Sequence, residues 1–244
     1  MTYLLLVFID MGIKLSIIIP CKNEEKYIGK LLDSLVKQDL QNNVEIIISD
    51  ANSTDNTLNI VSKYHNILPN LKVIEGGLPS YGRNVGAIES YGDVLLFLDS
   101  DCYFKDNSLI KKSLRRFKQY DADILGCLLN IENNIGVKLI YSLCNFTFYL
   151  SKLDKPFVVG TYMMIKRDTF FKVGGFDESL MHCEDYFLSK QIDRNKYIIQ
   201  NSFVYTDDRR FKKTGLVSMV KYFIKNTIMK NNIEYFKKDI GYWI

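Results

Sequence analysis

Several common classes are excluded by what the chain does not have. Its five cysteines (Cys21, Cys102, Cys127, Cys144 and Cys183) are scattered through 244 residues, without a C-x-x-C pair. An odd, dispersed set argues against a disulfide framework and against a structural zinc site, and fits reduced thiols. The N-terminal run "TYLLLVFI" has eight residues, where a bilayer-spanning helix needs about 20. It lacks the basic flank and small-residue cleavage site of a secretory signal. There is no low-complexity tract and no internal repeat. No G-x-G-x-x-G follows a strand-like run, which argues against a dehydrogenase.

What is present describes one main globular domain. Apolar residues make up 47% and charged residues 25%, an ordinary balance for a folded chain. The net charge of +4 is uneven: from Arg209 onward nine lysines and arginines face two acids, so that tail is +7 and the preceding residues are −3. A basic tail beside an acidic body suggests a phosphate-bearing partner or an anionic membrane surface, and a solvated helix face explains it equally well. Met11 is a second candidate start, and residues 1–13 are set apart as an N-terminal extension.

Short apolar runs alternate with amphipathic stretches. Strands are predicted at 14–20, 44–50, 71–76, 93–101 and 122–129, with helices near 23–38, after "STDNT", near 81–91 and over 108–120. Strands apolar throughout and separated by helices imply a largely parallel sheet covered on both faces. Ligands of such sheets bind beyond the carboxyl ends of the strands. Residues 135–153 read as an apolar helix, either core or facing an acceptor or interface.

The run "LLFLDSD" ends a predicted buried strand in Asp99 and Asp101. In extended chain both carboxylates point the same way, and their repulsion invites a cation. Hard oxygen ligands suit Mg²⁺ or Mn²⁺, whose remaining oxygens usually come from water and substrate phosphates. The implied substrate is a nucleotide diphosphate, which points away from nucleic acid as the partner.

Taken in order, "SIIIPCKNEE", "IIISDANSTDNT", "GRNVGA", "LLFLDSD", "GGFDE" and "CEDYFL" resemble glycosyltransferase family 2 with its GT-A fold. The resemblance implies an α/β domain over 14–210, followed by a basic amphipathic helical segment over 211–244. It implies inverting transfer of a sugar from a nucleotide-diphosphate donor to an acceptor hydroxyl on a glycan or a lipid-linked molecule. By the same resemblance Pro20, Asn23 and Glu24 line the nucleoside end, Asp50 contacts the base or ribose, and Arg83 holds the nucleotide. Asp99 reaches the ribose or a metal-bound water, and Asp101 ligates the metal. Of the acidic pair Glu184 and Asp185, Asp185 is the expected general base; acids in a first helical turn also have a purely structural use. Members often carry D-D-G-S where this chain has Asp50-Ala51-Asn52-Ser53, which leaves the donor base open.

Arg209 and Arg210 either close over the diphosphate or form surface ion pairs. The stripe Leu216, Met219, Val220, Phe223, Ile224 and Ile228, flanked by lysines, either lies on an anionic membrane or packs on the domain. The expected location is cytoplasmic, with peripheral membrane contact as an open alternative. Two other readings stand beside the transferase: a sugar nucleotidyltransferase, against which "PCKNEE" lacks a glycine-rich phosphate cradle, and a non-catalytic membrane-associated binding protein.

Overall fold

The computed structural model describes residues 14–40, 43–68 and 70–239. The proposed extension over residues 1–13 lies outside them. The chain runs β1 (Leu15–Cys21), α1 (Ile28–Val36), β2 (Val44–Asp50), α2 (Thr57–Ser62), β3 (Leu71–Glu75), α3 (Pro79–Ile88) and β4 (Val94–Leu98). It continues through α4 (Leu109–Gln119), β5 (Ile124–Asn130), α5 (Ile135–Ser151), β6 (Tyr162–Lys166), α6 (Arg167–Lys172) and α7 (Glu184–Ser189). Then come β7 (Tyr197–Tyr205), α8 (Arg209–Thr214), α9 (Leu216–Met229) and α10 (Ile233–Phe236).

One sheet of seven strands, in the order β3-β2-β1-β4-β6-β5-β7, organises the described residues. Every residue of β1 and β2 is buried, as expected for strands covered on both faces. Leu15, Ile17 and Ile19 of β1 join a core completed by α1, α2 and α4, whereas Ile18 joins the opposite core with α3 and α5. Full burial of each such side chain contributes about 1.5–3 kcal/mol. The buried carboxylate of Glu45 accepts hydrogen bonds from Ser16 Oγ and from the Tyr91 amide, both at 2.6 Å, and so ties the lower ends of the strands together.

Two departures from the predicted pattern shape the site. The helix after β1 begins at Ile28 rather than at residue 23, because Asn23 takes a left-handed φ of 54° and starts a loop. β6 runs antiparallel between β4 and β5. The chain therefore returns after α5 to the rim where β4 ends, and Gly160 and Thr161 enter β6 from there.

The C-terminal segment packs on the domain. Phe211 and Met219 are buried in the core that contains Tyr141 of α5. Phe236 is buried beside Leu180 and Phe187, and its carbonyl accepts from the Met181 amide at 2.8 Å. His182 is a buried residue of this junction, 3.2 Å from the Tyr222 hydroxyl; desolvation lowers its proton affinity.

Candidate active site

The carboxyl ends of β1 and β2 are joined by their loops. The Asn23 amide donates to Ser53 Oγ at 2.9 Å, and Asn23 Oδ1 accepts from the Thr54 amide at 2.8 Å. Asp50, buried at the end of β2, accepts from the Ser53 amide at 2.9 Å and the Ser53 hydroxyl at 2.5 Å. Ser53, in the region that departs from the family pattern, thus links the two loops. The Glu24 amide donates to Thr57 Oγ1 at 2.7 Å, which presents the Glu24 carboxylate to the rim. Pro20 lies one step back, in β1.

β4 ends at Leu98, and Cys102 N–H donates to the Asp99 carbonyl at 3.2 Å. This corrects the expectation of an extended chain through Asp101: a turn brings the two carboxylates together, because the chain must reverse into Tyr103. Two guanidiniums divide them. Arg83 of α3 donates from Nη2 to Asp99 and from Nη1 to Glu184, each at 2.7 Å. Arg83 is only 1% exposed, so in this structure it joins the two acidic motifs instead of facing solvent. Gly160 leaves room for it: a β-carbon there would lie 2.7 Å from Arg83 Nη2. The other oxygen of Asp99 accepts from Thr161 Oγ1 at 2.9 Å.

The second guanidinium arrives from β7. Tyr103 and Tyr205 form an isolated bridge with backbone hydrogen bonds of 2.9 and 3.0 Å. Residues after Tyr205 therefore land on the rim. Arg209 grips Glu24 with both Nη atoms at 2.7 Å, reaches Asp101 at 3.1 Å and stacks over Tyr27. Arg210 is near enough to lower the proton affinity of Asp101. Beside Asp101 a cleft of about 350 Å³ is lined by Tyr27, Lys30, Tyr103, Glu132 and Asn134. A cavity of about 380 Å³ lies at the other end of β4, around Asp93 and Lys166, away from this constellation.

Glu184 and Asp185 occupy different surroundings although they are neighbours. Glu184 is buried on Arg83, whereas Asp185 is half-buried and accepts from the Gly160 amide at 2.9 Å. Desolvation first, and the Glu184 charge second, push Asp185 up to about 7, against the opposing pull of Gly160 and Arg83. Burial and the neighbouring Asp99 push Asp101 up to about 6. A carboxyl raised on folding keeps its proton where the unfolded chain has released it, so stability falls as pH rises from about 4 towards 7. Asp185→Asn should therefore melt above the native protein at pH 7.5, with the gap shrinking as pH falls and closing near pH 4; a gap independent of pH would contradict this environment.

The family model described as glycosyl transferase family 2 matches residues 16–174. The chain belongs to glycosyl transferase family 2. Among relatives, it is 40% identical over 129 residues to the poly(ribitol-phosphate) beta-N-acetylglucosaminyltransferase TarS of Staphylococcus aureus, covering 51% of this chain and 22% of TarS. It thus spans about a fifth of that relative. A dolichyl N-acetyl-alpha-D-glucosaminyl phosphate 3-beta-D-2,3-diacetamido-2,3-dideoxy-beta-D-glucuronosyltransferase of Methanococcus voltae is 29% identical over 237 residues, covering 88% of this chain and 70% of the relative. The crystal structure of TarS 1–349 in complex with UDP-GlcNAc superposes with a TM-score of 0.65 at 27% identity, over 79% of this chain and 58% of that one. A Pyrobaculum calidifontis mannosyltransferase in complex with GDP-Man and Mn²⁺ gives 0.67 at 18% identity, over 79% and 56%, and speaks for the fold alone.

The family resemblance implies a divalent ion, and Asp99 and Asp101 at the β4 turn are the carboxylates that would hold one, in exchange for their present pairing with Arg83 and Arg209. Asp99 and Asp101 offer hard oxygens close enough for the one to raise the proton affinity of the other. Among the described residues no three His, Cys, Asp or Glu side chains gather about one point, so the protein itself offers two carboxylates. Sequence reasoning did not find Thr161, Gly160 or Ser53, nor the pairing of Arg83 with Glu184. Gly160, Thr161 and Arg83 act through partners distant in the chain, and Ser53, which bonds Asp50 three residues away, matters because it also accepts from the Asn23 amide.

Proposed function

We propose that this family 2 protein is an inverting glycosyltransferase that moves a sugar from a nucleotide-diphosphate donor to an acceptor hydroxyl. The observation that carries the reading is the buried bridge Asp99, Arg83, Glu184, which ties the donor-side carboxylates to the helix presenting Asp185. Asp185 accepts the proton of the attacking hydroxyl as the new bond to the anomeric carbon forms and the bond to the diphosphate breaks. Its raised proton affinity suits a general base working near neutral pH. Arg83 positions Asp99 and Glu184. Asn23, Glu24 and Asp50 form the nucleoside end with Pro20 behind them, and Arg209 with Arg210 supplies forked donors for the diphosphate. Asp99 and Asp101 would hold Mg²⁺ or Mn²⁺, which when bound neutralises charge on the departing diphosphate.

The names of the relatives support an acceptor on a growing glycan or a lipid-linked sugar. A melting panel of UDP and GDP with and without Mn²⁺ tests the donor side. One nucleotide should raise the melting temperature only with metal, and Asp101→Ala should remove that response. Equal, metal-independent stabilisation by every nucleotide would count against the assignment.

A further inference from the structure

The two helices α5 and α9 each present an apolar stripe to solvent. On α5 and the turn after it, Ile135, Leu139, Leu143, Phe146, Leu150 and Leu153 recur every three or four residues and are 46% to 81% exposed. Val137, Ile140 and Phe148, on the other side of the same helix, are buried. On α9, Val217, Val220, Ile224 and Ile228 form a second stripe, 37% to 74% exposed, with Met219 buried beneath. The helices meet at their first turns, where a β-carbon on Gly136 would lie 3.2 Å from Leu216 Cδ2. Scattered exposed apolar residues are ordinary, but a continuous apolar stripe on each of two helices that touch at their starts marks an interaction surface.

Lysines outnumber acids around this face, the exceptions being the exposed Asp154 that follows Leu153 and Asp208, which is paired with Lys212 at the start of α8. Between Lys212 and Lys230 there are five lysines and no acid, and Lys138 is the only charged residue of α5. Lys221 and Lys225 are exposed and follow the α9 stripe at helical spacing. Among the described residues no helix is long and apolar enough to cross a membrane. We infer that this face docks on an anionic membrane surface, with its apolar side chains at the headgroup and acyl boundary and its lysines among the lipid phosphates. A second copy fits less well, because a two-fold contact presents the same patch from both sides and would set lysines against lysines. The face also begins at the site: Asn134, the N-cap of α5, lines the cleft beside Asp101. Docking would hold that cleft next to the lipid surface.

Co-sedimentation of the full chain with vesicles tests this without donor or acceptor, so its failure would leave the transferase reading standing. The protein should bind vesicles of phosphatidylglycerol mixed with phosphatidylcholine, bind pure phosphatidylcholine weakly, and release as salt is raised. Lys221→Gln with Lys225→Gln should weaken binding about fivefold for each lysine removed. Leu143→Gln with Phe146→Gln should abolish it while leaving the melting temperature unchanged. No binding to the mixed vesicles, or binding indifferent to Leu143→Gln with Phe146→Gln, overturns the inference. So does a large fall in the melting temperature of that variant, which would make these packed side chains. A dimer in light scattering that the same substitutions dissociate would assign the face to a second copy, and overturns it as well.

Discussion

Asp185→Asn is expected to lower turnover about 10²–10⁴-fold, the usual contribution of a positioned general base, with donor affinity little changed. Asparagine keeps an oxygen for the Gly160 amide, so the local hydrogen bond survives while the proton acceptor is lost. The native rate should rise with pH and level off with an apparent midpoint near 7, where burial and Glu184 have placed the carboxyl. The variant should lack that limb. Because Glu184 is buried against Arg83 and Asp185 keeps access to solvent, Glu184→Gln should act chiefly through stability and geometry. Steady-state rates across pH, measured with donor and acceptor saturating, separate the two carboxylates. Undiminished turnover in Asp185→Asn would remove it from the role of base.

The second large effect is on folding. Arg83→Ala leaves Asp99 and Glu184 facing a buried gap without their shared counter-charge, and breaking a buried ion pair by removing one partner costs about 3–5 kcal/mol. In a protein of this size each kcal/mol moves the melting temperature by about 2–4 °C, so a fall on the order of 10 °C is expected. Arg83→Met combined with Glu184→Gln should recover part of it, since an unpaired buried carboxylate is then avoided. A melting temperature unchanged in Arg83→Ala would show that the guanidinium is not a stabilising bridge. In that case its expected contact with the nucleotide, tested by donor titration, would be the better account of its presence.

Much of the fold is legible in the chain because buried strands and amphipathic helices carry local signals. "LSIIIP" and "VEIIISD" are apolar without alternation, and each became a strand buried on both faces. The apolar stripe from Leu216 to Ile228 lies on a helix that runs over Leu216–Met229. The clustering of Asn23, Glu24, Asp50, Asp99 and Asp101 at one rim follows from parallel topology, which places all their strand ends together. The direction of β6 is not legible, since a run of four buried residues and a lysine reads the same either way. Its reversal brings Gly160 and Thr161 to the site.

The chain by itself determined the alternation of elements, the family and the acids at the strand ends, because periodicity and short motifs are properties of neighbouring residues. Only the tertiary structure decided how those charges are shared. Arg83 lies 101 residues before Glu184, and Arg209 lies 185 residues after Glu24. Nothing local selects such partners; they meet because β4 turns at Asp99, β6 runs back, and Tyr205 bridges to Tyr103. Desolvation in the resulting cluster, and not residue type, raises Asp185, while its neighbour Glu184 is buried against Arg83.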